Sequence, residues 1–328
     1  MALAPGAGTR LGTVILDSIP PASGAVVMGT GIVSVALLLD GRQTLSNILL
    51  VLDGAIWLAL AVLLPARAAR DGQRFAVDLR HPTALTSIAG TEVLGTRLTL
   101  AGWDWAGASL LVAATALWLG LVPHVLRHWQ TPTVGASFIL TVATESLALL
   151  AATLAFSQRA AWLLYAALVP FCLGLGFYGL VLSRFQFRQL VIGRGDHWVT
   201  GGALAISTVA AGRIALAAQR TGTLWHGHGP VETISLVLWC LSMAWLPALV
   251  GAEILRPRLS YNVRRWSTVF PVGMYAACSF IVGELTNTPG IVDFARVWVW
   301  VGAGVWLVAF LAMLASGRRL IAGSQLVS

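Results

Sequence analysis

The sequence predicts an all-α integral membrane protein with ten transmembrane helices, arranged as five tandem hairpins around a central pore. The first observation is composition: 57% of the 328 residues are hydrophobic and 10% are charged, with a mean hydropathy of +0.81. The second is that runs of about 20 mostly apolar residues, the length that crosses a bilayer, recur along the chain. The third is that polar and strongly apolar runs alternate. We expect residues 1–328 to form a single transmembrane domain.

Ten apolar runs can be placed in order along the chain. No A-x-A-like cleavage site follows the first run, so we expect that run to be a retained helix and not a signal peptide. Short connections separate the runs and leave no room for a soluble domain. The predicted spans are Ala22–Leu39, Leu45–Leu64, His81–Ala101, Trp105–Val125, Thr133–Phe156, Ala161–Leu182, His197–Ala218, Val231–Leu255, Tyr261–Glu284 and Ile291–Ala315.

The placement of arginine supports this count. Three arginines, Arg42, Arg159 and Arg220, follow odd-numbered spans, whereas many more follow even-numbered ones. By the positive-inside rule, this asymmetry predicts a plasma (inner) membrane protein with cytoplasmic N and C termini. Orientation therefore accounts for the net charge of +8, and no nucleic-acid partner is expected. The arginines on the predicted cytoplasmic side are Arg10, Arg67, Arg70, Arg74, Arg80, Arg127, Arg184, Arg188, Arg194, Arg256, Arg258, Arg264, Arg265, Arg318 and Arg319.

Small and polar residues concentrate in the odd-numbered spans, whereas the even-numbered spans are richer in Leu and Trp. Polar groups inside a bilayer need partners or a wet cavity, so the alternation predicts an inner ring of odd spans around a pathway. The alternative is close helix packing, in which Gly, Ser and Thr are ordinary interface residues. The candidate residues of a substrate or proton pathway are Thr30, Glu92, Ser137, Thr141, Glu145, Ser207 and Ser267.

The ninth span contains the segment FPVGMYAACSF, which places proline and glycine inside an apolar run. Pro271 has no amide proton, so the carbonyl of Ser267 loses its helical partner, and Gly273 makes further bending easy. A kink there would direct Phe270 toward whatever the ninth span faces. If that is a pore, the large apolar ring would narrow it and favour dewetting. The alternative is that Phe270 packs between helices.

Charged residues also occur deep within the spans. Glu92 and Glu145 lie about 15–18 Å into theirs, near the middle of the membrane. A buried carboxyl group of this kind could stay neutral and donate to an anion or carry a proton, or could make a structural bond to a neighbouring helix. Arg97 and Arg213 reach similar depth in the outer third, where they could attract anions to the outer mouth. Alternatively each snorkels or pairs with an acid, Glu145 being a candidate partner for Arg213.

The chain resembles the tellurite-resistance/dicarboxylate transporter family, which includes TehA-like proteins, malic acid permease, sulphite exporters and slow anion channels. The segments that carry the resemblance are VVMGTGIVS in the first span, GDHWVTGGALAI at the start of the seventh and FPVGMYA in the ninth. The resemblance implies five tandem hairpins around a pore, a homotrimer and transport of small anions without ATP. It also implies that Phe270 occludes the pore. The fifth span departs from the family's kinked inner helices, because it has no Pro or Gly beyond Gly135.

Together these features predict transport of small anions, foremost C4-dicarboxylates such as malate with possible coupling to protons. The alternatives are a channel for chloride or nitrate gated by phenylalanine, and a sulphite or tellurite resistance exporter. The chain shows no nucleotide-binding signature, nucleophile elbow or zinc-helix motif. We therefore expect no enzyme activity, no cofactor and no metal.

Overall fold

The computed structural model describes residues 19–192, 195–223, 229–257 and 261–325. Arg10, Arg194 and Arg258 of the arginine pattern lie outside these ranges. The regular structure of the described residues is helical, apart from an isolated bridge between Thr133 and Phe185. Ten long helices in chain order are α1 Gly24–Leu39, α2 Gln43–Arg70, α3 Thr86–Leu100, α4 Asp104–Arg127, α5 Ile139–Gln158, α6 Ala161–Leu182, α7 Val199–Thr221, α8 Gly229–Leu255, α9 Trp266–Leu285 and α10 Pro289–Gln325.

Eight of these helices are long and apolar enough to cross a membrane. The two that fall short are α1, an apolar helix of 16 residues, and α3, a helix of 15 residues. The structure therefore supports a multi-pass membrane protein, and crossing by α1 and α3 stays a prediction. Among the even-numbered helices, α2 and α10 extend furthest beyond their predicted spans: α2 continues from Leu64 to Arg70 and α10 continues from Ala315 to Gln325.

Each odd-numbered helix is preceded by a short 3₁₀ helix. The predicted third span began at His81, whereas the α-helix begins at Thr86 after four residues of 3₁₀ geometry. Proline opens two of these segments, where its missing N–H would have had no helical partner in any case. The five 3₁₀ segments are Pro21–Ser23, Pro82–Leu85, Gly135–Phe138, Asp196–Trp198 and Val263–Arg265.

The helices pack as two layers. Each odd-numbered helix contacts the even-numbered helix that follows it, and these pairs form five consecutive hairpins. The odd-numbered helices also contact one another in the closed order α1, α3, α5, α7, α9 and back to α1. The most apolar stretches of α5, α7 and α9 are 89–100% buried, whereas those of the even-numbered helices are 11–33% buried. The odd helices thus form an inner ring and the even helices an outer layer, as the alternation predicted.

Small residues bring the inner helices close together. A Cβ at Gly24 of α1 would lie 2.5 Å from the backbone nitrogen of Ser87, so only glycine permits this approach to α3. A Cβ at Gly202 of α7 would lie 2.7 Å from the ring of Pro271 in α9. Part of the small-residue pattern therefore serves close packing, the alternative that the sequence had left open.

We call the side where the even-numbered helices end the arginine-rich side.

Candidate functional site

A small cavity lies where all five inner helices meet. Each inner helix contributes to its wall, with Ile32 from α1, Thr96 from α3, Leu149 from α5, Arg213 from α7 and Ile281 from α9. Its volume of about 10 Å³ accommodates roughly one water molecule. Because the inner helices contribute C-terminal residues to it, the cavity lies in the half of the protein remote from the arginine-rich side.

Arg213 gives this cavity its positive charge. Its side chain is buried, with 7% of the residue exposed. Glu284, near the C-terminal end of α9, is an acidic residue in its electrostatic surroundings. Glu145, considered from the sequence as a partner for Arg213, instead accepts a hydrogen bond from Ser207. Arg213 thus forms part of the cavity wall, and Glu284 is its acidic neighbour.

Phe270 lies on the same face of α9 as the cavity residue Ile281. Residues 270, 274, 277 and 281 follow the spacing i, i+4, i+7, i+11, which places their side chains along one stripe of a helix. Eleven residues separate Phe270 from Ile281, about 16 Å along the axis. Phe270 is completely buried and belongs to the main hydrophobic core. The phenyl group of Phe270 therefore lies on the face of α9 that carries the cavity residue Ile281, displaced from the cavity toward the arginine-rich side.

Pro271 and Gly273 hold α9 against both of its inner neighbours. Pro271 lies inside the continuous helix Trp266–Leu285 and contacts Gly202 of α7. At Gly273 a Cβ would lie 2.8 Å from Cγ2 of Ile32 in α1. These two residues therefore bring α9 close to α7 and α1 on either side of Phe270.

The structure places Arg97 away from the central cavity. Its guanidinium Nε donates to the hydroxyls of Ser34, at 3.2 Å, and Ser46, at 3.0 Å, and its Nη2 donates to the amide oxygen of Asn47 at 2.8 Å. These partners belong to α1 and to the start of α2. Arg97 thus ties α3 to the first hairpin, and the structure does not bring it together with Arg213.

Glu145 forms a polar group with two other predicted pathway residues. One oxygen of its completely buried carboxyl group accepts from the Ser207 hydroxyl at 3.0 Å, while the other has no partner among the described residues. Thr141, one turn earlier, is also buried, and its hydroxyl has no hydrogen-bond partner in the described part of the chain. Glu145 packs against Gly174 of α6, where a Cβ would lie 2.7 Å from the carboxyl carbon. The three polar side chains therefore occupy the junction of α5, α6 and α7.

Two further acids are buried without hydrogen-bond partners among the described residues. Glu92 of α3 is completely buried, and both of its carboxyl oxygens lack a partner. Asp53 of α2 is also completely buried with both carboxyl oxygens unpartnered among the described residues, and it packs close to Gly31 of α1. Neither acid is among the residues that line the central cavity.

The remaining predicted pathway residues have separate surroundings. The Thr30 hydroxyl accepts a hydrogen bond from the indole of Trp306 in α10 at 3.0 Å, so it faces the outer layer. The Ser137 hydroxyl accepts from the backbone N–H of Val134 at 3.2 Å and closes the 3₁₀ turn before α5. Ser267 is half-buried at the start of α9. The structure does not bring these residues together around one site.

The apolar residues of the cavity escaped the sequence reasoning. The pathway residues predicted from the sequence are polar, whereas Ile32, Val35 and Leu39 of α1 are apolar. Their spacing of three and four residues was the available signal, because it is the spacing of one helix face. Within the described residues, no group of three or more His, Cys, Asp or Glu side chains could hold a metal ion.

Comparisons with known proteins agree with this architecture. The chain is 32% identical over 123 residues to an uncharacterized membrane protein of Mycobacterium tuberculosis, found in strain CDC 1551 / Oshkosh and in strain H37Rv. The match covers 36% of this chain and 62% of the relative's length, so it falls short of two thirds of that protein.

The model of a family described as voltage-dependent anion channel (SLAC1) matches residues 18–314, which include nearly all of the helical structure. This family unites the TehA-like and malic acid permease relatives, so the resemblance seen in the sequence is confirmed. The chain belongs to the voltage-dependent anion channel (SLAC1) family.

Proposed function

We propose that this protein is a channel for small inorganic anions, whose path follows the axis of the inner ring and is closed by Phe270. The observation that carries the proposal is the cavity shared by all five inner helices, with the buried cation Arg213 in its wall. A cation in a low-dielectric wall attracts anions and repels cations. Family membership supports anion movement in general.

The charge of the cavity favours a singly charged anion over a dicarboxylate. A C4-dicarboxylate carries two negative charges and calls for cationic groups at both ends. Arg213 is the cationic residue in the cavity wall, and Arg97 is engaged by α1 and α2. We therefore rank chloride and nitrate ahead of malate.

Replacing Phe270 tests the proposal. The change Phe270→Ala removes most of the ring that is proposed to exclude water, so anion conductance should rise well above that of the wild type. Phe270→Leu should raise it less, because leucine keeps part of the volume. The measurement is chloride and nitrate current through the purified protein in a planar bilayer, with flux into proteoliposomes as a second readout.

The matched control is Phe280, a phenylalanine of the same helix that is 2% exposed and lies off the stripe that carries Phe270. Phe280→Ala should lower the melting temperature, as core truncations that cost about 3–5 kcal/mol do, without raising conductance. Equal, unchanged conductance in Phe270→Ala and Phe280→Ala, each with a lower melting temperature, would show that Phe270 merely packs between helices.

A proton-coupled carrier of C4-dicarboxylates is the second candidate, favoured by Glu92 and Glu145. Both are fully buried and have carboxyl oxygens without a partner among the described residues, and a carboxyl group of this kind can release and take up a proton. Glu92→Gln and Glu145→Gln should then abolish malate uptake driven by a pH gradient and preserve malate exchange in its absence. Unchanged proton-driven uptake in both folded variants would exclude these residues from coupling.

We further propose assembly as a homotrimer with one path per protomer and insertion in the plasma membrane. The family resemblance supports the trimer. The same liposome assay distinguishes a sulphite or tellurite exporter from a chloride channel, because the exporter would move those oxyanions in preference to chloride.

A further inference from the structure

An apolar groove opens on the outer face of the first two hairpins. It has a volume of about 400 Å³ and lies between α2 and α4, with the beginnings of α1 and α3 as its floor. Trp57, Leu64 and Leu117 are among its lining residues. The even-numbered helices expose large apolar side chains around it, including Leu58 and Val62. The groove therefore faces the surroundings of the outer layer, which are lipid in a membrane protein.

A buried arginine closes the groove at the arginine-rich side. Arg67 lines the groove, and its Nη2 pairs with the carboxylate of Asp78 while its guanidinium carbon lies 5.8 Å from the ring centroid of Phe75. Its side chain is 9% exposed. The second terminal nitrogen, Nη1, is buried and has no hydrogen-bond partner among the described residues. An unsatisfied charged donor at the end of an apolar groove calls for an anionic acceptor.

The dimensions of the groove match one leaflet. Trp57 and Arg67 are ten residues apart on α2, which is about 15 Å along the helix. Half of a bilayer's hydrocarbon core is also about 15 Å thick. An acyl chain in the groove would therefore end near mid-membrane when its headgroup lies level with Arg67. Arg70, the last residue of α2, adds positive charge at headgroup depth.

We propose that this groove binds an anionic phospholipid of the leaflet on the arginine-rich side, with an acyl chain between α2 and α4 and its phosphate on Arg67. The phosphate oxygens would accept from the unpaired Nη1, while Nη2 keeps its pairing with Asp78. The apolar groove selects the acyl chain, and the guanidinium selects the charged headgroup.

The same construction recurs in the last two hairpins. A groove of about 580 Å³ is lined mainly by α8, α9 and α10 and also by Tyr261 and Arg265, which precede α9. This arginine pairs with Glu253 at 3.0 Å, and its Nη2 is buried without a partner among the described residues. Two grooves with an arginine at the same end indicate two lipid sites per chain.

Native mass spectrometry of the full-length protein, transferred from liposomes of phosphatidylglycerol and phosphatidylcholine, tests the proposal. The wild type should retain phosphatidylglycerol in preference, and Arg67→Gln should retain one molecule fewer per chain. Titration should show about a tenfold weaker affinity at this site, the effect expected for losing a charged hydrogen-bond donor and equivalent to about 1.4 kcal/mol. Arg67→Lys should recover part of the preference, and Arg74→Gln, at an exposed arginine outside the groove, should change nothing.

A second variant separates the groove from the charge. Ala61→Phe fills the groove from its exposed rim and leaves Arg67 in place. It should remove the same lipid while the protein keeps its melting temperature in phosphatidylcholine. Unaltered phosphatidylglycerol retention in both Arg67→Gln and Ala61→Phe would overturn the proposal. A change of oligomeric mass in Ala61→Phe, with lipid retention intact, would assign the groove to a second copy of the chain and overturn it as well.

Discussion

Arg97 and Arg213 illustrate how two residues of one type, at similar depth, take different roles. Arg97 donates three hydrogen bonds to Ser34, Ser46 and Asn47, which fix its charge between α1, α2 and α3. Arg213 lies in the wall of the central cavity. The proposed attraction of anions at the outer mouth therefore falls to Arg213, whereas Arg97 stabilises the first hairpin.

Neutralising each arginine separates these roles. Arg213→Gln should reduce anion conductance and the preference for anions over cations, because the cavity wall loses its positive charge. Arg97→Gln should leave selectivity intact and lower the melting temperature, because buried hydroxyls and an amide lose a charged partner worth about 1.5–3 kcal/mol per bond. Reversal potentials under a chloride gradient and thermal unfolding in detergent provide the two readouts. Loss of selectivity in Arg97→Gln alone would reverse this assignment.

At the scale of the helices, close approach of the inner ring depends on glycine where backbones meet. The N-terminal turn of α1 runs against the start of α3, and a Cβ at Gly24 would come within 2.5 Å of both Ser87 N and the carbonyl carbon of Thr86. Backbone atoms cannot rotate aside as a flexible side chain can. The contact between α1 and α3 must therefore open if this glycine is replaced.

Gly24→Ala should lower the melting temperature and cost about 1–3 kcal/mol or more, as overpacked cores do. Gly120→Ala is the matched control, because Gly120 lies inside α4, is exposed, and has no atom within 4 Å of the position of a Cβ. It should keep or raise the melting temperature, since alanine favours a helix by about 0.5–1 kcal/mol over glycine. Similar melting temperatures for both variants would contradict the close α1–α3 contact.

At the scale of the whole molecule, orientation in the membrane follows from the arginines. Reporter fusions after Arg74 and Arg188 should give a cytoplasmic signal, whereas fusions after Gln43 and Gly222 should give an exterior one. Cytoplasmic signals after both Arg74 and Arg188 require α3 to cross the membrane together with α4, α5 and α6, although α3 has fewer than 18 residues. An exterior signal after Arg74 combined with a cytoplasmic one after Gln43 would invert the orientation, and equal signals at those two sites would mean that α2 does not cross.

Much of the architecture could be predicted from the sequence, because apolar run length and the alternation of polar and apolar runs are local properties of the chain. The five hairpins and the inner position of the odd-numbered helices appear in the structure as the alternation predicted. The boundaries of the odd helices were less accurate. At His81 and Thr133 the chain is not yet α-helical, and a 3₁₀ segment precedes the α-helix at each of these places.

The sequence by itself determined which residues share a helix face, such as Thr141 with Glu145, because the period of the helix is the same in every protein. Only the tertiary structure decided which way each face turns. Thr30 contacts Trp306 in the outer layer and Arg97 contacts the first hairpin, while apolar residues such as Ile32 line the cavity with Arg213. Rotation of a helix about its axis is set by the side chains of its neighbours, and no pattern within a single span contains that information.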